Sequence, residues 1–345
     1  MKEMSDQIFD RLPGALLPWY AETARPLPWR RDREPYHVWL SEIMLQQTRA
    51  EVVAGYYLRF LEALPTVFEL AGISEEALLK LWEGLGYYSR ARNLKKTAEI
   101  IVRDFGGRFP ETYDELLSLP GVGPYTAGAV ASICFDQPVA AVDGNVLRVI
   151  TRITGDDSCI DDPAVKKRAG KALKAVYPKG ACGDFTQGLM ELGATVCSPN
   201  SAPKCDQCPL WDLCRSRDGG WRGRPRRREK RDRRVEKRTV FVLRAGERLA
   251  LRKRGAQGLL AGLWELPNVL GELDDHAALE QAAAWGAVPV SLEKSVRLDH
   301  VFTHVRWEMV CYHFICLETH AEFEWVSEAD LEHEVALPTA FRKFL

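Results

Sequence analysis

The sequence predicts two domains of different class. An all-α domain spans residues 1–214, an α+β domain spans 238–345, and a basic linker at 215–237 joins them. Three observations carry this division. Apolar residues recur at helical spacing in the first half, four cysteines gather between 197 and 214, and beyond Arg238 the pattern changes to short strands. At 345 residues, two domains are also the number that length alone suggests.

With 46% hydrophobic and 28% charged residues, the chain has the composition of a soluble globular protein. No apolar run is long enough for a membrane span, and the first residues carry no signal-peptide pattern. A net charge of −1 points to no partner by itself. Its distribution is more informative, because 215–238 holds thirteen Lys or Arg against four acids. Such a run reads first as a solvated, poorly ordered segment. Beside a nucleic-acid site it would add salt-sensitive attraction.

In chain order, Val53, Tyr56, Tyr57, Phe60, Leu61 and Leu64 mark one helix, and Leu94, Ala98, Ile101, Val102 and Phe105 another. Before them stand Leu27-Pro28-Trp29-Arg30 and the segment Trp39 to Thr48, which includes Gln47. Glu42 lies inside that apolar helical segment, where desolvation would raise its pKa and suit it to general-acid work. A Glu at the solvent edge of a helix is the plainer alternative. Tyr87 and Tyr88, flanked by Gly86, Arg90 and Arg92, read either as core rings or as a base wedge beside phosphate-binding arginines.

The stretch 119–145 organises the rest. Thr112 and Glu115 have capping-box spacing, so a helix opens there and stops at Pro120. Gly121 and Gly123 permit a tight turn into a second helix, whose unpaired N–H groups would seat a phosphate. Asp143 follows in an apolar stretch, with Gly144 and Asn145 behind it. It is either a chemical group or an ordinary capping residue. Asp162-Pro163 then opens a helix to about Val176, and Gln187 precedes a further apolar run. A Gln amide can pair bidentately with adenine; a surface Gln is the alternative.

Cys197, Cys205, Cys208 and Cys214 should ligate metal in a reducing compartment. Zinc and a four-iron cluster both accept four cysteines, and spacing alone does not choose. Cys134, Cys159, Cys182, Cys311 and Cys316 are scattered and read as packing residues. In the second domain, strands are predicted at 238–243, from Leu249, and at 310–316. Phe302-Thr303-His304 is a strand end that also offers donors and acceptors.

Taken together, Leu27–Arg30, Ser41–Thr48, Gly84–Leu94, Leu119–Ala127 and Val142–Val146, in that order and spacing, resemble the MutY family of adenine DNA glycosylases. These belong to the helix-hairpin-helix, or endonuclease III, superfamily. The segment Gly258–Pro267 resembles the family's Nudix-like C-terminal domain. The resemblance implies a multi-domain protein: an all-α helix-hairpin-helix glycosylase domain with a [4Fe–4S] cluster loop, then an α+β Nudix-like domain.

It further implies excision of adenine mispaired with 8-oxoguanine or guanine in double-stranded DNA. Glu42 would protonate the adenine, and Asp143 would stabilise or trap the oxocarbenium, supported by Tyr125 and Asn145. Cys197, Cys205, Cys208 and Cys214 would hold the cluster, although seven residues separate the first two where the family usually has six. Arg30, Gln47, Thr48, Tyr87, Gly121, Gly123 and Gln187 would contact DNA, with Gln47 and Tyr87 near the lesion and Gln187 facing the adenine. Phe302, Thr303 and His304 would recognise 8-oxoguanine. The region 279–286 lacks the dense acidic helix of true Nudix hydrolases, so this domain should bind without hydrolysing. A monomeric, cytoplasmic, nucleoid-associated bacterial protein is the implied setting.

Three rivals remain. Endonuclease III, a glycosylase and lyase, carries Lys where this chain has Tyr125, and lyase chemistry needs that amine. A non-catalytic lesion-binding protein would not need both Glu42 and Asp143. A Nudix pyrophosphatase would need the acidic helix.

Overall fold

The structure, a computed structural model, describes residues 2–199, 201–229 and 232–345, with side chains from Gln7 onward. Asn200, in the expected cysteine loop, and Lys230 and Arg231, in the expected linker, lie outside the described residues. By contact the chain divides into two compact units, Met1–Gly72 with Asn93–Glu229, and Ile73–Arg92 with Lys230–Leu345.

The first unit is helical. Helix Lys2–Thr23 supplies Ile8, Phe9, Leu12 and Leu16 to a core shared with two others. Val146, Val149, Ile150 and Ile153 come from Gly144–Thr154, and Phe185, Leu189 and Leu192 from Cys182–Thr195. Each fully buried side chain of this kind contributes roughly 1.5–3 kcal/mol. The expected helices appear at Pro35–Met44, Ala50–Ala63 and Ser89–Phe105. Thr112 and Glu115 do form a capping box, opening helix Tyr113–Leu117. Helix Pro124–Phe135 follows the Gly121–Gly123 turn. Gly121 has φ 73° there, and a Cβ on it would come within 2.6 Å of the Asn93 Cβ.

The basic stretch is less free than its composition suggests. Arg224 Nη2 meets Asp157 Oδ2 at 3.0 Å, and the Ile160 amide donates to the Arg226 carbonyl at 3.0 Å. The Arg228 amide donates to Asp161 Oδ2 at 2.8 Å. The side chains of Arg226, Arg227 and Arg228 are exposed, as a solvated run implies, while Asp157, Ile160 and Asp161 tie the backbone of 226–228 and the Arg224 side chain to the helical unit.

The second unit is a mixed sheet: β1 (Arg234–Ala245), β2 (Arg248–Lys253), β3 (Trp264–Glu265), β4 (Asn268–Leu270), β5 (Pro289–Val301), β6 (Val305–Cys316) and β7 (Glu324–Val326). The main path runs β3-β2-β1-β6-β5, with β1 and β6 parallel at the centre and Val240 opposite Cys311. Alternation along β1 serves two faces. Val240 and Val242 enter a core with Leu331, Leu337 and Phe341, while Phe241 and Leu243 enter another with Ala278 and Ala282. Burial on both faces explains why Val240–Leu243 in the middle of β1 reads as a continuous apolar run. Among the described residues, no helix is long and apolar enough to cross a membrane.

Candidate active site

Four helices of the first unit bring one cluster of polar groups together. Glu42 sits near the end of Pro35–Met44, whose last seven residues are all buried, and is itself only 5% exposed. Tyr125 stands in the first turn of Pro124–Phe135, where its hydroxyl donates to Glu42 Oε2 at 2.6 Å. The same hydroxyl lies 3.6 Å from the Met190 sulfur on Cys182–Thr195.

Asp143 is the N-cap of Gly144–Thr154. Its Oδ1 accepts from the Val146 amide at 2.7 Å, and its Oδ2 accepts from Asn145 Nδ2 at 2.8 Å. The capping reading of Asp143 is thus correct, and it does not exclude chemistry. Capping fixes the rotamer and sets the carboxylate at the positive end of a helix dipole.

Burial raises the proton affinity of both acids. Burial pushes Glu42 up to about 7; the Tyr125 hydrogen bond opposes this, and the charge of Asp143 adds to it. Burial also raises Asp143, against hydrogen bonds from Val146 and Asn145 that favour its anion. Burial and the two carboxyls hold the Tyr125 phenol well above its usual range, so it remains a donor. One carboxyl is therefore poised to give a proton near neutral pH, beside another whose hydrogen bonds from Val146 and Asn145 work against the burial that raises it.

Arg148, one turn beyond Asn145, connects this cluster to the cysteine loop. Its Nη2 donates to Asn145 Oδ1 at 2.7 Å and to the Gly193 carbonyl at 2.8 Å, and its Nε donates to the Cys197 carbonyl at 2.7 Å. Gly193 permits the approach, since a Cβ there would lie 2.6 Å from the Asn145 Cβ. Cys197, Cys205, Cys208 and Cys214 line a single pocket walled by Val149, Ile153, Leu192 and Trp221. Arg152 Nη1 donates to the Cys197 sulfur at 3.2 Å. Burial raises the Cys208 thiol to about 12 and also lifts Cys205 and Cys214, so thiolates there need a cation to hold them. Among the described residues, no three Cys, His, Asp or Glu converge closely enough to clasp one metal ion.

In the second unit, the Tyr87 hydroxyl and Thr303 Oγ1 share a hydrogen bond of 3.0 Å. Phe302 lies edge-on between His300 and Trp307, with ring centroids 4.5 and 4.8 Å away.

Residues 40–175 match the family model described as HhH-GPD superfamily base excision DNA repair protein, and residues 239–345 match the NUDIX domain. The chain is 34% identical to an adenine DNA glycosylase of Homo sapiens, over 96% of this chain and 72% of that protein. It is 36% identical to the adenine DNA glycosylase of Rattus norvegicus, over 84% of this chain and 68% of that protein. The chain belongs to the adenine DNA glycosylase family. Among solved structures, a thermostable thymine-DNA glycosylase is similar at a TM-score of 0.54 and 31% identity, over 62% of this chain and 97% of that one. This likeness agrees with the helical first half, and the fold of this family member is the expected helical glycosylase domain followed by a Nudix-like α+β domain.

The remaining expected contacts fall in several places. Gln47 is exposed and Thr48 half-buried just after Pro35–Met44. Gln47 and Tyr87 both adopt left-handed backbone, at φ 62° and 49°. That conformation costs a non-glycine residue roughly 1 kcal/mol or more, and it clusters at functional sites. Gly123 is the N-cap of Pro124–Phe135. Gln187 is half-buried on the helix that supplies Met190. Thr303 and His304 are exposed at the β5–β6 turn. Arg30 is engaged inside the unit, with Nη2 2.8 Å from Glu191 Oε2, and Arg25 grips the same carboxylate. Glu191, Arg148 and Met190 escaped the sequence reading. Arg148 alone left a signal, a cation one helical turn from Asn145 and one turn before Arg152.

Proposed function

We propose that this family member excises adenine opposite 8-oxoguanine from duplex DNA by hydrolysing the N-glycosidic bond. The observation that carries the reading is the pairing of Tyr125 with a buried Glu42 held near 7, next to Asp143. The target nucleotide is extruded from the duplex, since its sugar is unreachable inside. Glu42 gives its proton to N7 of adenine as the bond from the sugar breaks and the electron pair leaves with the base. Asp143 stabilises the positive charge that develops on the sugar, following the two-carboxyl logic of glycoside hydrolysis. Water then adds to the sugar carbon and loses a proton, leaving an abasic site. Tyr125 offers no amine for a Schiff base, which supports monofunctional chemistry.

The four cysteines would hold a [4Fe–4S] cluster in preference to zinc. Four thiols accept either, and the chain's membership of a family of the endonuclease III and MutY type favours the cluster in the pocket these residues line. Such a cluster would supply iron to hold thiolates and would brace the loop after Cys197. The helical domain to residue 214 would act on the adenine. The 238–345 domain, through Phe302, Thr303 and His304, would read the partner base, and the protein would work as a monomer.

The test is a duplex with one A·8-oxoguanine pair, with strand nicking scored before and after hot alkali. Nicks only after alkali, lost in Glu42→Gln and Asp143→Asn, are expected. Nicks before alkali would overturn the monofunctional reading, and duplex binding without excision would overturn the enzymatic one.

A further inference from the structure

The segment Ile73–Arg92 precedes the hairpin in sequence, yet it belongs by contact to the unit of the sheet. Within that unit, Glu83 is its anchor. Glu83 Oε1 accepts from the Leu337 amide at 3.0 Å and from Arg342 Nε at 2.9 Å. Its Oε2 accepts from Lys80 Nζ at 2.7 Å and from Arg342 Nη2 at 3.3 Å. Lys80 Nζ also donates to the Leu331 and Val335 carbonyls, at 2.8 and 3.0 Å. The Glu83 and Lys80 side chains are only 15% and 14% exposed, so the centre of this network is sheltered, with the Arg342 side chain, 42% exposed, closing it from the solvent side.

What Glu83 anchors is short and stiff. Gly84 and Gly86 follow at φ 95° and 69°, then Tyr87 at φ 49°. Trp82 Nε1 donates to the Gly86 carbonyl at 3.1 Å, closing the turn. Arg90 stacks over both Trp82 and Tyr87, at 5.2 and 5.6 Å from the ring centroids. From Tyr87 the contacts return to the sheet through Thr303. Phe302 packs on Trp307, Trp307 packs on Phe341 at 5.9 Å, and Arg342 is the next residue. The contacts form a closed ring, in which the Tyr87 turn and the Phe302–His304 turn are held to each other at both ends.

We propose that Glu83 is a positioning residue for partner-base recognition: by clamping Lys80, Leu337 and Arg342 it fixes Tyr87 against Thr303 and so sets discrimination between 8-oxoguanine and guanine opposite the adenine. This rests on the reading of Tyr87 and Thr303 given above. Glu83 itself touches no base. Loosening it lets the Tyr87 turn shift relative to Thr303, and a displacement of about 1 Å is enough to weaken a positioned recognition group.

The experiment measures single-turnover excision on A·8-oxoguanine and A·G duplexes, because such rate constants do not depend on the fraction of protein that is folded. In the full-length protein, Glu83→Gln keeps an acceptor for Leu337 but drops the charge, and Glu83→Met drops both. The expected result is a graded fall in the ratio of the two rates, reaching roughly tenfold for Glu83→Met. Arg342→Met should reproduce it from the other side of the clamp, without touching the 73–92 segment. Thr303→Val should lower the ratio too, and combining it with Glu83→Met should cost no more than the larger single effect, since both act through one contact. A lower melting temperature with an unchanged ratio in the Glu83 and Arg342 variants would overturn the proposal, and so would additivity with Thr303→Val. If wild type shows no preference, or Thr303→Val leaves it intact, the failure lies in the reading of Tyr87 and Thr303 instead.

Discussion

The Tyr125 hydroxyl lies 2.6 Å from Glu42 Oε2, so a residue of the hairpin's second helix sets the proton affinity of an acid on another helix. Burial raises Glu42 to about 7 and the Tyr125 bond pulls it back, because the phenol stabilises the carboxylate. With Glu42 acting as the acid, excision falls as pH rises above about 7. Removing the phenol in Tyr125→Phe takes away a stabiliser of the anion, so the descending limb should move to higher pH. Single-turnover pH profiles check this, and a limb moving to lower pH would contradict the assigned direction.

Glu42→Gln should lower excision by roughly 10²–10⁴ across the pH range, as loss of a general acid does. The same change should affect stability in the opposite sense. The folded pKa lies above the unfolded one, so the native state binds more protons between about 4.5 and 7 and stability falls as pH rises through that window. Above it the buried carboxylate is a burden of a few kcal/mol, which Gln lacks. Melting temperatures at pH 5 and pH 8 should show the variant gaining relative to wild type only at the higher pH.

Replacing Tyr125 with Lys would place an amine beside Asp143 and Glu42. Tyr125→Lys should form a borohydride-trappable covalent complex with DNA that contains the abasic product, and wild type should not. Equal trapping in both would point to another amine and remove the chemical meaning given to residue 125.

Arg148 and Gly193 should matter without touching substrate. Arg148→Met removes the bonds to Asn145, to Gly193 and to the Cys197 carbonyl. Gly193→Ala forces Asn145 away, since its Cβ would lie 2.6 Å from that of Asn145. Both should slow single-turnover excision by about tenfold or more while duplex affinity changes little. Arg148→Met should also lower iron retention, whereas Gly193→Ala should not.

Purified protein should carry iron and acid-labile sulfide, and Cys208→Ala should lose both along with thermal stability. Zinc with no sulfide would overturn the assignment of the cysteine pocket. Salt should weaken duplex binding steeply, and Asp157→Asn should steepen that slope, because Arg224 and Arg226 lose the acid they face and become available to phosphate.

Much of the fold was legible because it depends on local periodicity. The capping box at Thr112, the helices after Arg49 and Tyr88, and the change to strands near Arg238 all follow from spacing and turn chemistry. Candidate chemistry was legible where a residue type was out of place, as with a carboxyl in an apolar helix at Glu42 or four cysteines in one loop. Glu191 and Glu83 were not legible, because each is an ordinary charged residue on a helix or turn with decisive partners far away in sequence.

The sequence by itself determined the helical class of the first half, the sheet of the second, and the kinds of group available: two acids, a phenol without an amine, and four thiols. Tertiary structure decided which of these meet and what proton affinity results. It paired Glu42 with Tyr125 across eighty-three residues, made Asp143 both a helix cap and a neighbour of that pair, and assigned residues 73–92 by contact to the unit of the sheet. The physical reason is range. Periodicity and capping act over a few residues, whereas desolvation and hydrogen bonding depend on whatever the packed chain brings alongside.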